Sequence, residues 1–214
     1  MQTLLNSDLQ NQIKDFLSPM KNPISIVLFT QETPCETCVE TKQLLKEVSQ
    51  LNDKITFIEK DLIEDIKDAD TYGITLTPSF VMLDEQGQYR GVKFNGIPAG
   101  HEINSFLTAI LDMSGMHFGF DQETMNRIKR INKPVNIKVF VTLSCPHCPG
   151  AVSNAHRLAM LNDHIEGEMI EAQTFHQLSE KYQVSGVPKI VINEKYELVG
   201  NQPIEAYLKH LESL

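Results

Sequence analysis

The 214-residue chain has no run of about 18 apolar residues, so no membrane-spanning helix is expected. Its opening, Met-Gln-Thr-Leu-Leu-Asn-Ser-Asp, lacks the basic segment and apolar stretch of a secretory signal; the cytoplasm is the expected compartment. Positive charge is scarce. There are 19 Lys and Arg against 28 Asp and Glu, a formal net charge of −9. Neither nucleic acid nor an anionic membrane is expected as a partner, because both need clustered Lys and Arg. Cysteine is scarce too: the four present fall as two pairs, Cys35/Cys38 and Cys145/Cys148. In a reducing compartment such pairs more often bind metal or do redox chemistry than form structural crosslinks.

What the chain does contain is a repeat. A shift of 110 positions carries Cys35 onto Cys145 and Cys38 onto Cys148. The same shift carries Leu51-Asn52-Asp53 onto Leu161-Asn162-Asp163, Tyr72 onto Tyr182, Ile74 onto Val184, Pro78 onto Pro188 and Val81 onto Val191. A duplication is expected, and the length suits two domains of about 100 residues.

Each half reads alike. In the first, an amphipathic segment from Leu4 to Phe16 precedes an apolar strand, Ile24 to Phe29. After Cys35, Val39, Leu44, Leu45, Val48 and Leu51 recur at helical spacing. A strand over Ile55–Ile58, a helix over Asp61–Ala69 and a strand over Pro78–Leu83 follow. Asp84-Glu85-Gln86-Gly87 turns the chain into Tyr89–Phe94, and Ile103 to Leu111 marks a closing helix. The second half predicts a helix over Gln122–Ile131, a strand over Val135–Val141 and a helix from the Cys145 loop to about Leu161. A strand near Met169–Ile170 and a helix near Gln177–Tyr182 come next. Strands over Pro188–Ile192 and Tyr196–Val199 flank Asn193-Glu194-Lys195, and Ile204–Leu211 is the last helix. The boundary is placed in Ser114–Gly119, where helical periodicity lapses, giving units 1–115 and 116–214. The class is α/β. The order βαβαββα, with Cys-x-x-Cys at the first strand-to-helix junction, describes two tandem thioredoxin-like folds, each with a mixed central sheet.

Two cysteines three apart at a helix start lie within disulfide reach. Unpaired backbone N–H groups there favour a thiolate, the attacking species in exchange. Cys35 and Cys145 are read as nucleophiles, Cys38 and Cys148 as resolving thiols. Pro78 and Pro188 each open an apolar strand, 43 residues after the nucleophile. In this fold that proline is cis and faces the disulfide, leaving the backbone of Thr77 and Val187 to pair with an extended substrate. The dipeptides differ. Pro146 suits the first helical position, and His147, when protonated, stabilises a nearby thiolate. Pro149 would loosen that helix start. Glu36 instead adds negative charge beside its thiolate. The Cys145 site is therefore expected to have the lower thiol pKa and the higher reduction potential.

The two Cys-x-x-Cys sites, Ile97-Pro98-Ala99-Gly100-His101-Glu102, Phe140-Val141-Thr142 and Val187-Pro188-Lys189-Ile190-Val191 make the chain resemble the prokaryotic protein disulfide oxidoreductases over nearly its whole length. The resemblance implies two thioredoxin folds side by side, exchange with protein dithiols and disulfides, and re-reduction in some members by a thioredoxin reductase. It implies no cofactor. His147 departs from the family, which more often has Tyr there. The abundance of Asn and Gln is not a thermophile signature and favours a reductant or peroxide-defence role. The N-terminal module of alkyl hydroperoxide reductase flavoproteins also has two such folds, but with one Cys-x-x-Cys.

Other readings compete. Four paired cysteines could hold structural zinc, but the pairs are far apart in the chain and each follows a strand and opens a helix, so no metal is expected. Pro78 and Pro188 could be edge-strand prolines. Lys60 and Asp61 could assist proton transfer near Cys38 or simply be solvated. His101 is read as structural, and His156, His164, His176 and His210 as solvated. Two functional alternatives remain: an electron-transfer module for a peroxide-reducing system, and a non-catalytic adaptor.

Overall fold

The computed structural model describes residues 3–32, 35–115 and 119–214. Helix α1 spans Ser7–Leu17, strand β1 Ile24–Thr30, α2 Cys38–Ser49, β2 Ile55–Asp61, α3 Ile66–Thr71, β3 Ser79–Leu83 and β4 Tyr89–Asn95. A 3-10 turn, Gly100–Glu102, leads into α4, Ile103–Met113. Then come α5 (Gln122–Lys129), β5 (Val135–Val141), α6 (Cys148–Leu161), β6 (Ile165–Glu171), α7 (His176–Lys181), β7 (Lys189–Ile192), β8 (Tyr196–Val199) and α8 (Ile204–Leu211).

The eight strands form one sheet in the order β2-β1-β3-β4-β6-β5-β7-β8. β1 pairs in parallel with β2 and antiparallel with β3; β5 does the same with β6 and β7. The mixed sheet and α/β layering are thioredoxin-like. The sequence did not reveal the seam, where β4 pairs in parallel with β6, Val92 opposite Gly167 and Phe94 opposite Met169. Seam contacts are close. Gly91 has φ of 72°, and a Cβ there would stand 2.3 Å from the Ile165 carbonyl oxygen. A side chain at this position would push β6 away.

Strand alternation sorts the side chains. Ile24, Ile26 and Leu28 of β1 and Ile137, Val139 and Val141 of β5 enter one core with α1, α2, α4, α5, α6 and α8. Val27 and Phe29 point the other way, toward Ala69 of α3, and Phe140 points toward Leu178 of α7. The larger core crosses the seam, so Phe80, Phe94 and Phe106 share it with Ala155 and Leu158.

Most expected elements stand within a few residues of their anticipated bounds, and the exceptions have local causes. α1 begins at Ser7 because Asn6 caps it, its side chain accepting the Leu9 amide. β2 runs on to Asp61, which pairs with Thr30. The Asp61 carboxylate then accepts the Ile63 and Glu64 amides in a turn, delaying α3 to Ile66. From the cysteines through β3 the repeat is 110, but the return strands are closer, Asn95 pairing with Ser79 as Val199 pairs with Lys189, and β1 also departs from it. Phe29 pairs with Lys60 and Ser79, whereas Phe140 pairs with Ile170 and Lys189, so the loop before Cys35 is one residue longer than that before Cys145. Asn193 and Glu194 both take positive φ at the centre of a turn that the Lys195 amide closes on the Ile192 carbonyl. Of the expected boundary stretch, Ser114–Gly119, residues 116–118 lie outside the described residues.

Candidate functional site

Both cysteine pairs are joined as disulfides, with Cα–Cα distances of 5.6 Å for Cys35–Cys38 and 5.5 Å for Cys145–Cys148. The second cysteine of each pair, not the first, opens the helix: α2 starts at Cys38 with Thr37 as N-cap, and α6 at Cys148 with His147 as N-cap. Cys35 and Cys145 thus lie in the turn just before the helix, still facing its N-terminal end. This corrects two expectations. Pro146 sits in that turn and not in the first helical position. Pro149 lies within the first helical turn, where an amide has no intrahelical acceptor, so it does not loosen the start.

The Thr77–Pro78 and Val187–Pro188 peptide bonds are both cis. Pro78 accepts the Gly96 amide and Pro188 the Gly200 amide, each at 2.8 Å, so both proline loops are tied to the neighbouring strand end. Pro78 and Pro188 are buried, while Thr77 and Val187 are half-buried. At the second site Cys145 Sγ stands 3.8 Å from the Val187 carbonyl oxygen. The Cys-x-x-Cys turn and the residue before the proline therefore meet in space across 42 residues of chain.

The surroundings differ. Over the first disulfide lies a cleft of about 470 Å³, lined by Cys35, Cys38, Val39, Lys42, Lys60 and Asp61 among others. Lys42 pairs with Glu59 at 2.8 Å, and Lys60 with Asp65 and Asp68 at 3.3 and 2.5 Å. These bonds draw the Lys60 ammonium above its ordinary range, chiefly through Asp68, so it stays charged near neutral pH. Glu36 is exposed beside Cys35. The second disulfide is more enclosed: Cys148 is fully buried and Cys145 is 9% exposed. His147 is exposed.

The first half reaches the loop and helix that carry the second site. The 3-10 turn Gly100–Glu102 packs on α6, and the His101 amide donates to the Leu143 carbonyl at 2.8 Å, two residues before Cys145. Gly100, with φ of 56°, sits so near that a Cβ would be 2.3 Å from that carbonyl oxygen. Next in the turn, Glu102 is fully buried. Ser105 Oγ donates to one carboxylate oxygen, while Oε1 has no hydrogen-bond partner among the described residues. Burial pushes this carboxyl from its ordinary 4.5 to about 7. A buried carboxyl poised near neutrality, in a turn that packs on the helix opened by Cys148, is a functional candidate. Its identity was visible in the sequence, but its burial was not.

His156, expected to be solvated, is also buried. Its Nε2 lies 3.1 Å from the Lys93 carbonyl oxygen across the seam, its ring packs on Phe94, and burial lowers its pKa to about 4. It falls on the buried face of α6, four residues after Val152, and that spacing was the signal available.

β1 and β5 are separated by three strands. At the usual interstrand spacing their ends, and the cysteine pairs beyond them, are about 19 Å apart. One zinc ion cannot collect ligands over that distance. Among the described residues no helix is long and apolar enough to cross a membrane.

Comparison with known proteins agrees with this geometry. A family described as a thioredoxin domain matches residues 135–213. The chain is 30% identical over 210 residues to the AhpF component of alkyl hydroperoxide reductase from Staphylococcus aureus (strain Mu50), covering 98% of this chain and 38% of that protein. It thus spans about two fifths of the curated relatives it matches. Among solved structures it superposes on the AhpF component of Enterococcus faecalis alkylhydroperoxide reductase with a TM-score of 0.91 at 28% identity, covering 97% of this chain and 99% of that one. A protein disulfide oxidoreductase from Aeropyrum pernix gives a TM-score of 0.90 at 28% identity, covering 99% and 94%. With two Cys-x-x-Cys disulfides on a thioredoxin-like sheet, the chain is similar over nearly its whole length to prokaryotic thioredoxin-like oxidoreductases.

Proposed function

We propose that the chain is a two-site thiol–disulfide oxidoreductase acting on protein dithiols and disulfides, built from tandem thioredoxin-like units divided after residue 115. The observation that carries this is the recurrence, in each half, of a Cys-x-x-Cys disulfide at a helix start with a buried proline loop 43 residues on. Cys35 and Cys145 attack a substrate disulfide as thiolates, and Cys38 and Cys148 resolve the mixed disulfide. The backbones of Thr77 and Val187 hold the substrate segment. Pro146 and His147 at the second site, and Glu36 at the first, tune the two thiols apart, and Glu102 moves the proton at the second site.

The separation of the cysteine pairs favours independent action, because exchange requires sulfur–sulfur contact. Cys35→Ser and Cys145→Ser are each expected to retain part of the insulin-disulfide reduction seen with the intact chain and a thioredoxin reductase, and the double variant to lose it. No turnover by the intact chain with any reductant would favour an adaptor. The likeness to the AhpF proteins supports a second reading, in which the chain carries electrons within a peroxide-reducing system, fed by a flavoprotein reductase.

A further inference from the structure

The two sites share a backbone frame but not the charges around it. The register of β1 against β2 and of β5 against β6 matches Glu59, Lys60 and Asp61 at the first site with Met169, Ile170 and Glu171 at the second. Along the helix, Glu36 is matched by Pro146 and Lys42 by Val152; beyond β2, Asp65 is matched by Phe175. The first cleft thus opens among Glu32, Glu59, Asp61 and Asp65, with Glu36 beside it. Its two lysines are already held by carboxylates, leaving the rim negative. At the second site the one surviving acid, Glu171, is 2% exposed and occupied with the Gln173 and Thr174 amides. After the proline, Ser79 at the first site is replaced by Lys189 at the second.

We propose that the first site selects disulfides flanked by cationic groups, such as protein disulfides with neighbouring Lys or Arg, and that the second does not. This rests on the two-site reading. An acid-lined cleft raises the local concentration of a cationic substrate and lowers that of an anionic one. In each case the same reaction runs. The first cysteine's thiolate bonds to one substrate sulfur and expels the other as a thiolate. The second cysteine then attacks the mixed disulfide, expelling the remaining thiolate and closing the protein disulfide. Two electrons pass from protein to substrate.

The test uses the full chain reduced, with only the first site active (Cys145→Ser/Cys148→Ser) or only the second (Cys35→Ser/Cys38→Ser). Each reacts with cystamine, which carries two ammonium groups, and with 3,3′-dithiodipropionate, which carries two carboxylates. The ratio of the two rates cancels the nucleophilicity of each thiol. That ratio is expected to be about tenfold larger at the first site at low salt. It should shrink toward the second site's value in about 1 M salt, where screening reaches only about 3 Å. Glu32→Gln/Glu59→Gln should shrink it too, and does so in the intact chain if the serine variants fold poorly. Equal ratios at both sites, or a ratio indifferent to salt, overturn the charge selection and leave the two-site reading standing. Failure of the first-site protein to exchange with either disulfide overturns both.

Discussion

Glu102→Gln is expected to be about 3 kcal/mol more stable than the wild-type chain at pH 8 and no more stable at pH 4.5. The folded state holds this carboxyl's pKa near 7, above its ordinary 4.5. Below 4.5 both folded and unfolded chains carry the proton, and burial costs nothing extra. As pH rises from 4.5 to 7 the unfolded chain gives up its proton first and gains on the folded one. Above 7 the folded chain must hold a buried carboxylate with one oxygen unpaired. The amide keeps the shape and the Ser105 contact without the charge. Denaturant unfolding at the two pH values measures the difference. The same substitution should also remove the pH dependence near 7 of exchange at the second site, which a merely structural role would leave in place.

The second large effect comes from His156 and has the opposite sign. Its folded pKa, lowered from 6.5 to about 4, means that its contribution is present above 6.5 and lost as pH falls toward 4, where burying it neutral costs about 3 kcal/mol. Between pH 4.5 and 6.5 the unfolded chain binds one proton more than the folded chain at His156 and one fewer at Glu102. The two slopes cancel, so these groups leave wild-type stability flat across that window. Each single variant exposes the slope of the other. Glu102→Gln should lose about 2 kcal/mol on acidification from pH 6.5 to 4.5, and His156→Gln should gain about as much. Parallel, flat profiles for both variants would contradict the assignment of these two buried groups.

Much of this was legible in the sequence. The 110-residue offset and the matched prolines located both sites, because a duplicated backbone keeps its cysteine-to-proline distance. Apolar periodicity located the strands and helices, because it records which face is buried. It does not record what covers that face. Val92 and Phe94 alternate as they would on any half-buried strand, and nothing in that pattern says that β4 joins β6. The seam in turn buries His156 against Lys93 and Phe94, and the turn carrying Glu102 packs on α6 from the other half. Both groups were read without the neighbours that give them their chemistry. The exchange of Pro146 for Pro149 within the helix start has a local cause: α6 begins at the second cysteine, so the first helical turn is offset by three residues from the Cys145 thiol.

The central claim is that each half holds a working site whose first cysteine attacks. It is tested most directly by trapping. Cys38→Ser and Cys148→Ser remove one resolving thiol each while leaving both nucleophiles. Reduced and mixed with a disulfide substrate, each variant should accumulate a mixed disulfide that peptide mass spectrometry places on Cys35 in the first case and on Cys145 in the second. Adducts on neither residue, or trapping at one site only, would contradict the account.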